Sequence, residues 1–225
     1  MLILGIDTST KMLSLALSDR DRIIFNYKKD IGIKHSVLLL SILDNLLKEY
    51  KIRKEDIDLF AVGLGPGSFT GLRISLSMVK GLILVLKKKV LGIPTLDIIA
   101  RNVIKEGNIS VISDARRENI YAASYEYKNA KFKRTMPSLL LNFKHWLKNI
   151  KKKTFVLGDA VGVYANELSG EKNIYCVLPE KFWYPDAKNL CILALEKFKR
   201  QGRDKVEKLV PLYLYPKECQ ISRKT

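Results

Sequence analysis

Residues 63–80 read GLGPGSFTGLRISLSMVK, and this stretch decides the fold. Residues 57–62 before it form a short apolar run, which is typical of a buried strand. Residues 71–87 after it contain no proline and are mostly apolar, which is typical of a helix. The stretch therefore predicts a strand, a glycine loop and a helix that Ser68 or Thr70 caps.

A glycine loop before a helix can also present its amide groups to an anion. This loop is no P-loop, because Gly71 is followed by Leu72 and Arg73 where a P-loop has lysine. The spacing also differs from that of dinucleotide-binding loops and of nucleophile elbows. Two interpretations stay open, a tight turn that packs the helix closely on the sheet and a vestigial or weak phosphate site. The candidate phosphate residues are Asp7, Thr8, Ser9, Gly65, Gly67, Ser68 and Asp114.

Composition limits the class of protein. The 225 residues are 47% hydrophobic, which suffices for one large domain or two small ones. The sequence begins with no basic segment or cleavage site, and we expect no signal peptide, no membrane span and a cytoplasmic location. Three cysteines without Cys-x-x-Cys spacing and two distant histidines argue against a metal site, and we predict no cofactor. The cysteines are Cys176, Cys191 and Cys219.

The formal net charge of +17 suggests a polyanionic partner such as RNA. Lysine-rich sequences also arise from a biased genome, in which case the lysines are merely solvated. Basic residues nevertheless cluster within residues 144–153 and 197–205. We therefore expect contact with tRNA to be indirect or weak, with no basis for direct recognition of bases.

The sequence pattern at the beginning of the chain recurs in its second half. Residues 2–7 predict an apolar strand that ends at Asp7, and alternating residues after it predict two more strands of a meander. Residues 109–114 repeat this pattern and end at Asp114. Strands then alternate with helices, which predicts an α/β protein. We place a first lobe at residues 1–107 and a second lobe at residues 108–225, with a tail at residues 210–215 that packs back on the body.

Two predicted helices of the first lobe, residues 36–50 and 71–87, carry more apolar residues than one core-facing stripe needs. Either both are sandwiched inside one domain, or they present apolar surface to a partner chain. The predicted partner-interface residues are Leu39, Ile42, Leu43, Leu46, Leu72, Ser75, Leu76, Val79 and Leu82. In the second lobe we predict helices over residues 139–150, 161–168 and 189–200.

Several stretches of the sequence resemble one family. Duplicated halves that each begin with a meander ending on aspartate resemble the architecture of actin, hsp70 and the sugar kinases. The motif Gly-Ile-Asp-Thr-Ser-Thr at residues 5–10, the glycine loop at residues 65–74 and Asp-Ala-Arg-Arg-Glu at residues 114–118 resemble the TsaB (YeaZ) family. So does His35-Ser36, which opens a leucine-rich helix.

This resemblance implies a non-catalytic subunit that pairs with the TsaD paralogue through helices of the first lobe. With the ATPase TsaE, the pair supports transfer of a threonylcarbamoyl group to a tRNA adenosine beside the anticodon. The resemblance also implies a two-lobed fold, and we predict a homodimer when the protein is alone. The family tail often ends in arginine where this chain has Tyr215.

Two features bear on whether the chain is an enzyme. It lacks the His-x-x-x-His pair of the catalytic paralogue and the adjacent glycines of nucleotide-binding relatives. The alternative is an ATP-dependent phosphotransferase or ATPase that would use Asp7 and Asp114 with magnesium. We expect no enzymatic activity from the chain itself.

Overall fold

The computed structural model describes residues 1–215, which divide into two compact units. Residues 1–102 and 184–211 form the first unit, and residues 103–183 form the second together with the chain from residue 212. The strands are β1 (Leu2–Asp7), β2 (Met12–Asp19), β3 (Arg22–Asp30), β4 (Leu59–Gly63), β5 (Lys89–Ile93), β6 (Gly107–Asp114), β7 (Asn119–Lys128), β8 (Lys131–Asn142), β9 (Thr154–Leu157) and β10 (Ile174–Val177). The helices are α1 (His35–Glu49), α2 (Phe69–Leu86), α3 (Thr95–Ala100), α4 (Phe143–Lys148), α5 (Ala160–Val163), α6 (Ala165–Leu168) and α7 (Ala187–Gln201).

The first unit is built on a five-stranded sheet in the order β3-β2-β1-β4-β5. β1, β2 and β3 pair antiparallel as a meander, whereas β4 and β5 continue the sheet parallel to β1. Because side chains alternate across a strand, Leu4 and Ile6 face a core shared with α1 and α2. Ile3 faces the opposite core, which α7 covers with Leu190. The sheet is therefore buried on both sides.

The second unit repeats this plan with the sheet order β10-β9-β6-β7-β8. β6 pairs antiparallel with β7 and parallel with β9, as β1 does with β2 and β4. A core on one face of this sheet contains Phe143 and Trp146 of α4. The predicted duplicated α/β fold of the actin, hsp70 and sugar-kinase class is confirmed.

The division of the chain differs from the predicted lobes of residues 1–107 and 108–225. Helix α7 lies in the first unit, because Ala187, Leu190, Cys191 and Ala194 belong to the core of its sheet. The predicted tail at residues 210–215 also divides: residues 210–211 belong to the first unit, whereas the hydroxyl of Tyr215 donates a 2.6 Å hydrogen bond to the carbonyl oxygen of Ala115 in the second. Residues 216–225, with Cys219, lie outside the described residues.

Two predicted helices of the second half are wrong in extent. Residues 139–142 continue β8, and α4 begins only at Phe143, where the side chain of Asn142 accepts a hydrogen bond from the amide of His145. The helix predicted at residues 161–168 is interrupted at Tyr164 into α5 and α6. Three consecutive leucines in β8 fit a buried helix as well as a strand, so periodicity could not separate the two.

Helix α2 begins as predicted, because the Ser68 hydroxyl accepts a hydrogen bond of 3.2 Å from the Gly71 amide. Helix α1, by contrast, begins after Lys34, which makes no side-chain cap. By length and composition α2 is also apolar enough to cross a membrane, and 33% of it is buried in the structure. Its buried residues Leu76, Val79 and Ile83 lie in the first unit's core.

Candidate functional site

Asp7 lies at the end of β1, where the predicted phosphate residues of the first unit meet. Its carboxylate accepts hydrogen bonds of 2.8 Å from the Ser9 amide and 2.6 Å from the Ser9 hydroxyl. Asp7, Thr8 and Ser9 are all buried. Burial raises the pKa of Asp7 above its ordinary value, and the hydrogen bonds from Ser9 oppose that rise.

Thr95, the first residue of α3, completes this cluster and was absent from the predicted site. Its hydroxyl donates to the second carboxylate oxygen of Asp7 at 3.2 Å and accepts from the amide of Gly65 at 3.1 Å. The Thr95 amide in turn donates to the carbonyl oxygen of Gly65 at 2.7 Å. The available signal was its position directly after β5, since the carboxyl ends of parallel strands share one edge of a sheet.

The residues that follow β1 pack directly against the glycine loop and form hydrogen bonds with it. The Ser68 amide donates a 2.7 Å hydrogen bond to the carbonyl oxygen of Ser9, and the Thr8 hydroxyl donates one of 2.6 Å to the carbonyl oxygen of Gly71. A Cβ atom on Gly71 would overlap the Thr8 carbonyl, and one on Gly67 would overlap that of Ser9. Close packing therefore accounts for these two glycines, and Gly65 adopts a φ of 91° that favours glycine. This geometry supports the interpretation of the loop as a packing turn.

Asp114 occupies the corresponding position at the end of β6 in the second unit. It accepts a hydrogen bond of 2.9 Å from the Arg116 amide and forms an ion pair of 3.2 Å with the Arg116 guanidinium. The neighbouring carboxylate of Asp159, which was absent from the predicted site, accepts from the Ser113 hydroxyl at 2.7 Å and from the Asp114 amide at 3.0 Å. Burial raises the pKa of Asp159. The first unit thus holds a buried carboxylate at the end of its first strand. The second unit holds Asp114 at the corresponding position and Asp159 after β9, both of which accept hydrogen bonds.

The predicted partner-interface residues separate into two groups. Leu39, Leu43, Leu72, Ser75, Leu76 and Val79 are buried inside the first unit, so they do not form an accessible surface and that part of the prediction is wrong. Ile42, Leu46 and Leu82 are half-buried against the same core. The physical reason is that α1 and α2 turn their leucine-rich faces toward the sheet.

Other residues of the same helices are exposed and apolar. On α1, Val37 is 74% and Leu40 is 62% exposed; on α2, Leu84 is 72% and Val85 is 81% exposed. A groove of about 490 Å³ runs beside the two exposed residues of α1. Its lining includes Val37, Leu40, Leu82 and the core residues Ile57 and Phe60. The helices therefore do carry apolar surface, at positions adjacent to the predicted ones.

No cluster of three or more histidine, cysteine, aspartate or glutamate side chains suited to a metal ion occurs within residues 1–215. Of the cysteines in that range, Cys176 is exposed and Cys191 is buried, and neither forms a disulfide. His35 is buried, and its ring lies 3.3 Å from the carbonyl oxygen of Met12. Its position inside the first unit fits a structural role.

The fold and the sequence agree in comparisons with known proteins. The family model described as "TsaD: tRNA N6-adenosine threonylcarbamoyltransferase" matches residues 29–222. The tRNA threonylcarbamoyladenosine biosynthesis protein TsaB of Bacillus subtilis is 34% identical over 154 residues, which are 68% of this chain and 67% of that protein. TsaB of Buchnera aphidicola subsp. Schizaphis graminum is 29% identical over 196 residues, 84% of this chain and 90% of that protein.

Solved structures are also similar to this chain in fold. YeaZ from Pseudomonas aeruginosa superposes with a TM-score of 0.79 at 25% identity, covering 95% of this chain and 99% of that one. The activator of the 2-hydroxyisocaproyl-CoA dehydratase from Clostridium difficile superposes with a TM-score of 0.54 at 12% identity, covering 89% and 96%, and shows likeness of fold alone.

Two five-stranded sheets of one topology, each with an aspartate at the end of its first strand, define a protein of the duplicated actin-like class. Within that class, the matched family model and the similarity to TsaB proteins over most of the chain are decisive. The chain belongs to the TsaB (YeaZ) family of tRNA threonylcarbamoyladenosine biosynthesis proteins.

Proposed function

We propose that this chain is a non-catalytic subunit that pairs with a TsaD-type transferase. The pair, together with a TsaE-type ATPase, supports transfer of a threonylcarbamoyl group to the tRNA adenosine beside the anticodon. Membership of the TsaB family supports the pathway. The observation that carries the subunit role is the exposed apolar surface on α1 and α2.

We define the helix surface as Val37, Leu40, Leu84 and Val85. These four side chains are each more than half exposed, although aliphatic residues of this size favour burial. Val37 and Leu40 also border the groove beside α1, so a partner could seat an apolar side chain there. Exposed apolar side chains beside an apolar groove are typical of a site of protein association.

The arrangement around Asp7 supports a role without catalysis. A nucleotide-binding carboxylate must reach a hydrated magnesium ion. Here the carboxylate is buried, its oxygens accept hydrogen bonds from Ser9 and Thr95, and the Gly63 backbone packs directly on it. Binding magnesium would require these contacts to break.

Size-exclusion chromatography with light scattering, on a mixture with the TsaD protein of the same organism, tests the pairing. The wild-type chain should form a complex near equal stoichiometry. Leu40→Glu and Val85→Glu should weaken the complex because each places a charge in an apolar contact. Ile104→Glu is the matched control, since Ile104 is 76% exposed and lies outside the two helices.

Two results would contradict the proposal. One is the absence of a wild-type complex, with and without nucleotide. The other is equal binding by all three folded variants, which would show that the helix surface is not the interface.

The helix surface should also mediate self-association of the free chain. We expect the mass from light scattering to approach that of a homodimer as concentration rises, and Leu40→Glu to hold the protein monomeric. A monomer mass for the wild type at high concentration would contradict this part.

A further inference from the structure

The basic residues of the second unit are concentrated in one stretch of sequence. Residues 128–153 contain nine of the chain's 40 lysine and arginine residues and none of its 23 aspartate and glutamate residues. The other basic cluster, residues 197–205, contains Asp204 and is flanked by Glu196 and Glu207.

Five lysines of this stretch form what we call the lysine face: Lys144 and Lys148 of α4, and Lys151, Lys152 and Lys153 of the following loop. All five are exposed. Within the described residues, none of them forms an ion pair with a carboxylate. No carboxylate within residues 1–215 therefore neutralises their charge in an ion pair.

The loop of the lysine face is held in place by neighbouring side chains. The side-chain amide of Asn173 donates a 2.7 Å hydrogen bond to the Ile150 carbonyl oxygen. The Thr154 hydroxyl donates a 2.7 Å hydrogen bond to the Lys152 carbonyl oxygen. The side-chain amide of Asn108 donates a 3.2 Å hydrogen bond to the Lys153 carbonyl oxygen. A fixed backbone presents the three lysines at set positions, which reduces the entropy lost when a ligand binds.

A groove of about 540 Å³ adjoins the lysine face within the second unit. Lys151, Lys152 and His145 lie along it, and Glu126 is the one carboxylate in its lining. Apolar side chains line it as well, together with neutral hydrogen-bonding groups. The apolar side chains include Met136, Trp146 and Ile150, and the neutral hydrogen-bonding residues include Asn108, Ser110 and Ser124.

We propose that the lysine face and this groove bind an RNA strand, with phosphates on the lysines and a base in the groove. Proteins that bind single-stranded nucleic acid combine a basic track for the backbone with apolar surface for the bases. An acidic protein segment would match the lysines but would leave the apolar and neutral polar lining unused. The inference rests on the proposed function in one respect, that the RNA is tRNA, whose unpaired loops and ends expose bases.

The test measures the affinity of the full-length chain for an unmodified tRNA transcript by fluorescence anisotropy across a salt series. The first variant combines Lys148→Glu, Lys151→Glu and Lys152→Glu. The control combines Lys199→Glu, Arg200→Glu and Lys205→Glu, exposed positions of the other basic cluster, and changes the net charge equally. Thermal unfolding confirms that both variants are folded.

We expect the lysine-face variant to bind about tenfold more weakly near 0.1 M salt, with the slope of log affinity against log salt shallower by about 2. The control should lose less than about twofold, because its three positions belong to neither the lysine face nor the groove. Ser124→Leu, which fills the groove without changing charge, should weaken binding and leave the salt slope unchanged.

Equal losses in the two charge variants would overturn the proposal, because net charge alone would then explain binding. Undetectable wild-type binding, or displacement of tRNA by polyglutamate as efficiently per charge as by unlabelled tRNA, would also overturn it. An unaffected Ser124→Leu would show that the groove takes no base. The same variants are also mixed with the TsaD partner and analysed by chromatography. A variant that loses tRNA binding but keeps the pair tests this inference alone, and one that loses the pair but keeps tRNA binding tests the proposed function alone.

Discussion

The hydroxyl of Thr8 donates a hydrogen bond of 2.6 Å to the carbonyl oxygen of Gly71, which joins the turn after β1 to the first turn of α2. The Ser68 amide, at the N-terminus of the same helix, is bound by the Ser9 carbonyl oxygen. An anion at this helix terminus would compete with the protein's own backbone. The glycine loop therefore stabilises the first unit by close packing, and this has measurable consequences.

Gly71→Ala should destabilise the protein. The new Cβ would overlap the carbonyl oxygen of Thr8, and forced overpacking of this kind costs about 1–3 kcal/mol in the free energy of unfolding. Gly81→Ala is the control in the same helix, because no heavy atom lies within 4 Å of the position of its Cβ. It should stabilise by about 0.5–1 kcal/mol through helix propensity. Urea unfolding measures both, and equal effects would refute the packing role of Gly71.

Asp7→Asn should change how stability depends on pH. Burial raises the pKa of Asp7, so the folded protein keeps this proton at pH values where the unfolded chain has lost it. The free energy of unfolding of the wild type therefore falls as pH rises from the ordinary carboxyl pKa of 3.8 through the raised one. The variant has no such proton, so its stability relative to wild type should increase across that window.

The comparison of wild type with Asp7→Asn isolates one group. Asp159 also has a raised pKa, but it contributes equally to both proteins and cancels in the difference. Urea unfolding at a series of pH values gives the measurement. A difference that does not vary with pH would mean that Asp7 titrates alike in the folded and unfolded states.

Leu39→Ala and Leu40→Ala should differ sharply although the residues are adjacent in α1. Leu39 is 2% exposed, and truncating a buried leucine costs about 2–5 kcal/mol. Leu40 is 62% exposed, and its truncation should change the free energy of unfolding by no more than about 0.5 kcal/mol. Similar losses in both variants would show that α1 is rotated from the orientation described.

Titration calorimetry with magnesium and millimolar ATP should give no saturable heat. The oxygens of Asp7 are bound by Ser9 and Thr95, and the Gly63 backbone closes over them. A saturable heat that disappears in Asp7→Ala would instead favour the alternative of an ATP-dependent phosphotransferase.

The sequence could predict the first strand of each sheet because each is a short apolar run that ends at a chemically distinct residue. β1 and β6 both end on aspartate, and this repeat led to the duplicated fold. The glycine loop and its serine cap followed from local backbone chemistry. What these features share is that neighbouring residues alone determine them.

The orientation of the apolar helices could not be read in the same way. Residues 37–40 of α1 are all apolar, so the sequence shows no periodicity there that would predict which side chains are buried. In the structure Leu39 faces the core and Leu40 faces outward. Thr95 was missed because its contact with Asp7 depends on the order of strands in the sheet, which joins residues far apart in the chain. The lobe boundary failed for the same reason, since only tertiary packing reveals where α7 belongs.

The position of α7 has a consequence for synthesis in the cell. The ribosome makes the five strands of the first sheet early, but the helix that covers one face of that sheet follows only after residues 103–183 of the second unit. At about 5–20 residues per second, the delay is on the order of ten seconds. Throughout that interval Ile3, Leu59 and Leu91, fully buried in the finished protein, lack their cover. We therefore expect the nascent chain to expose apolar sheet surface that only the finished protein buries.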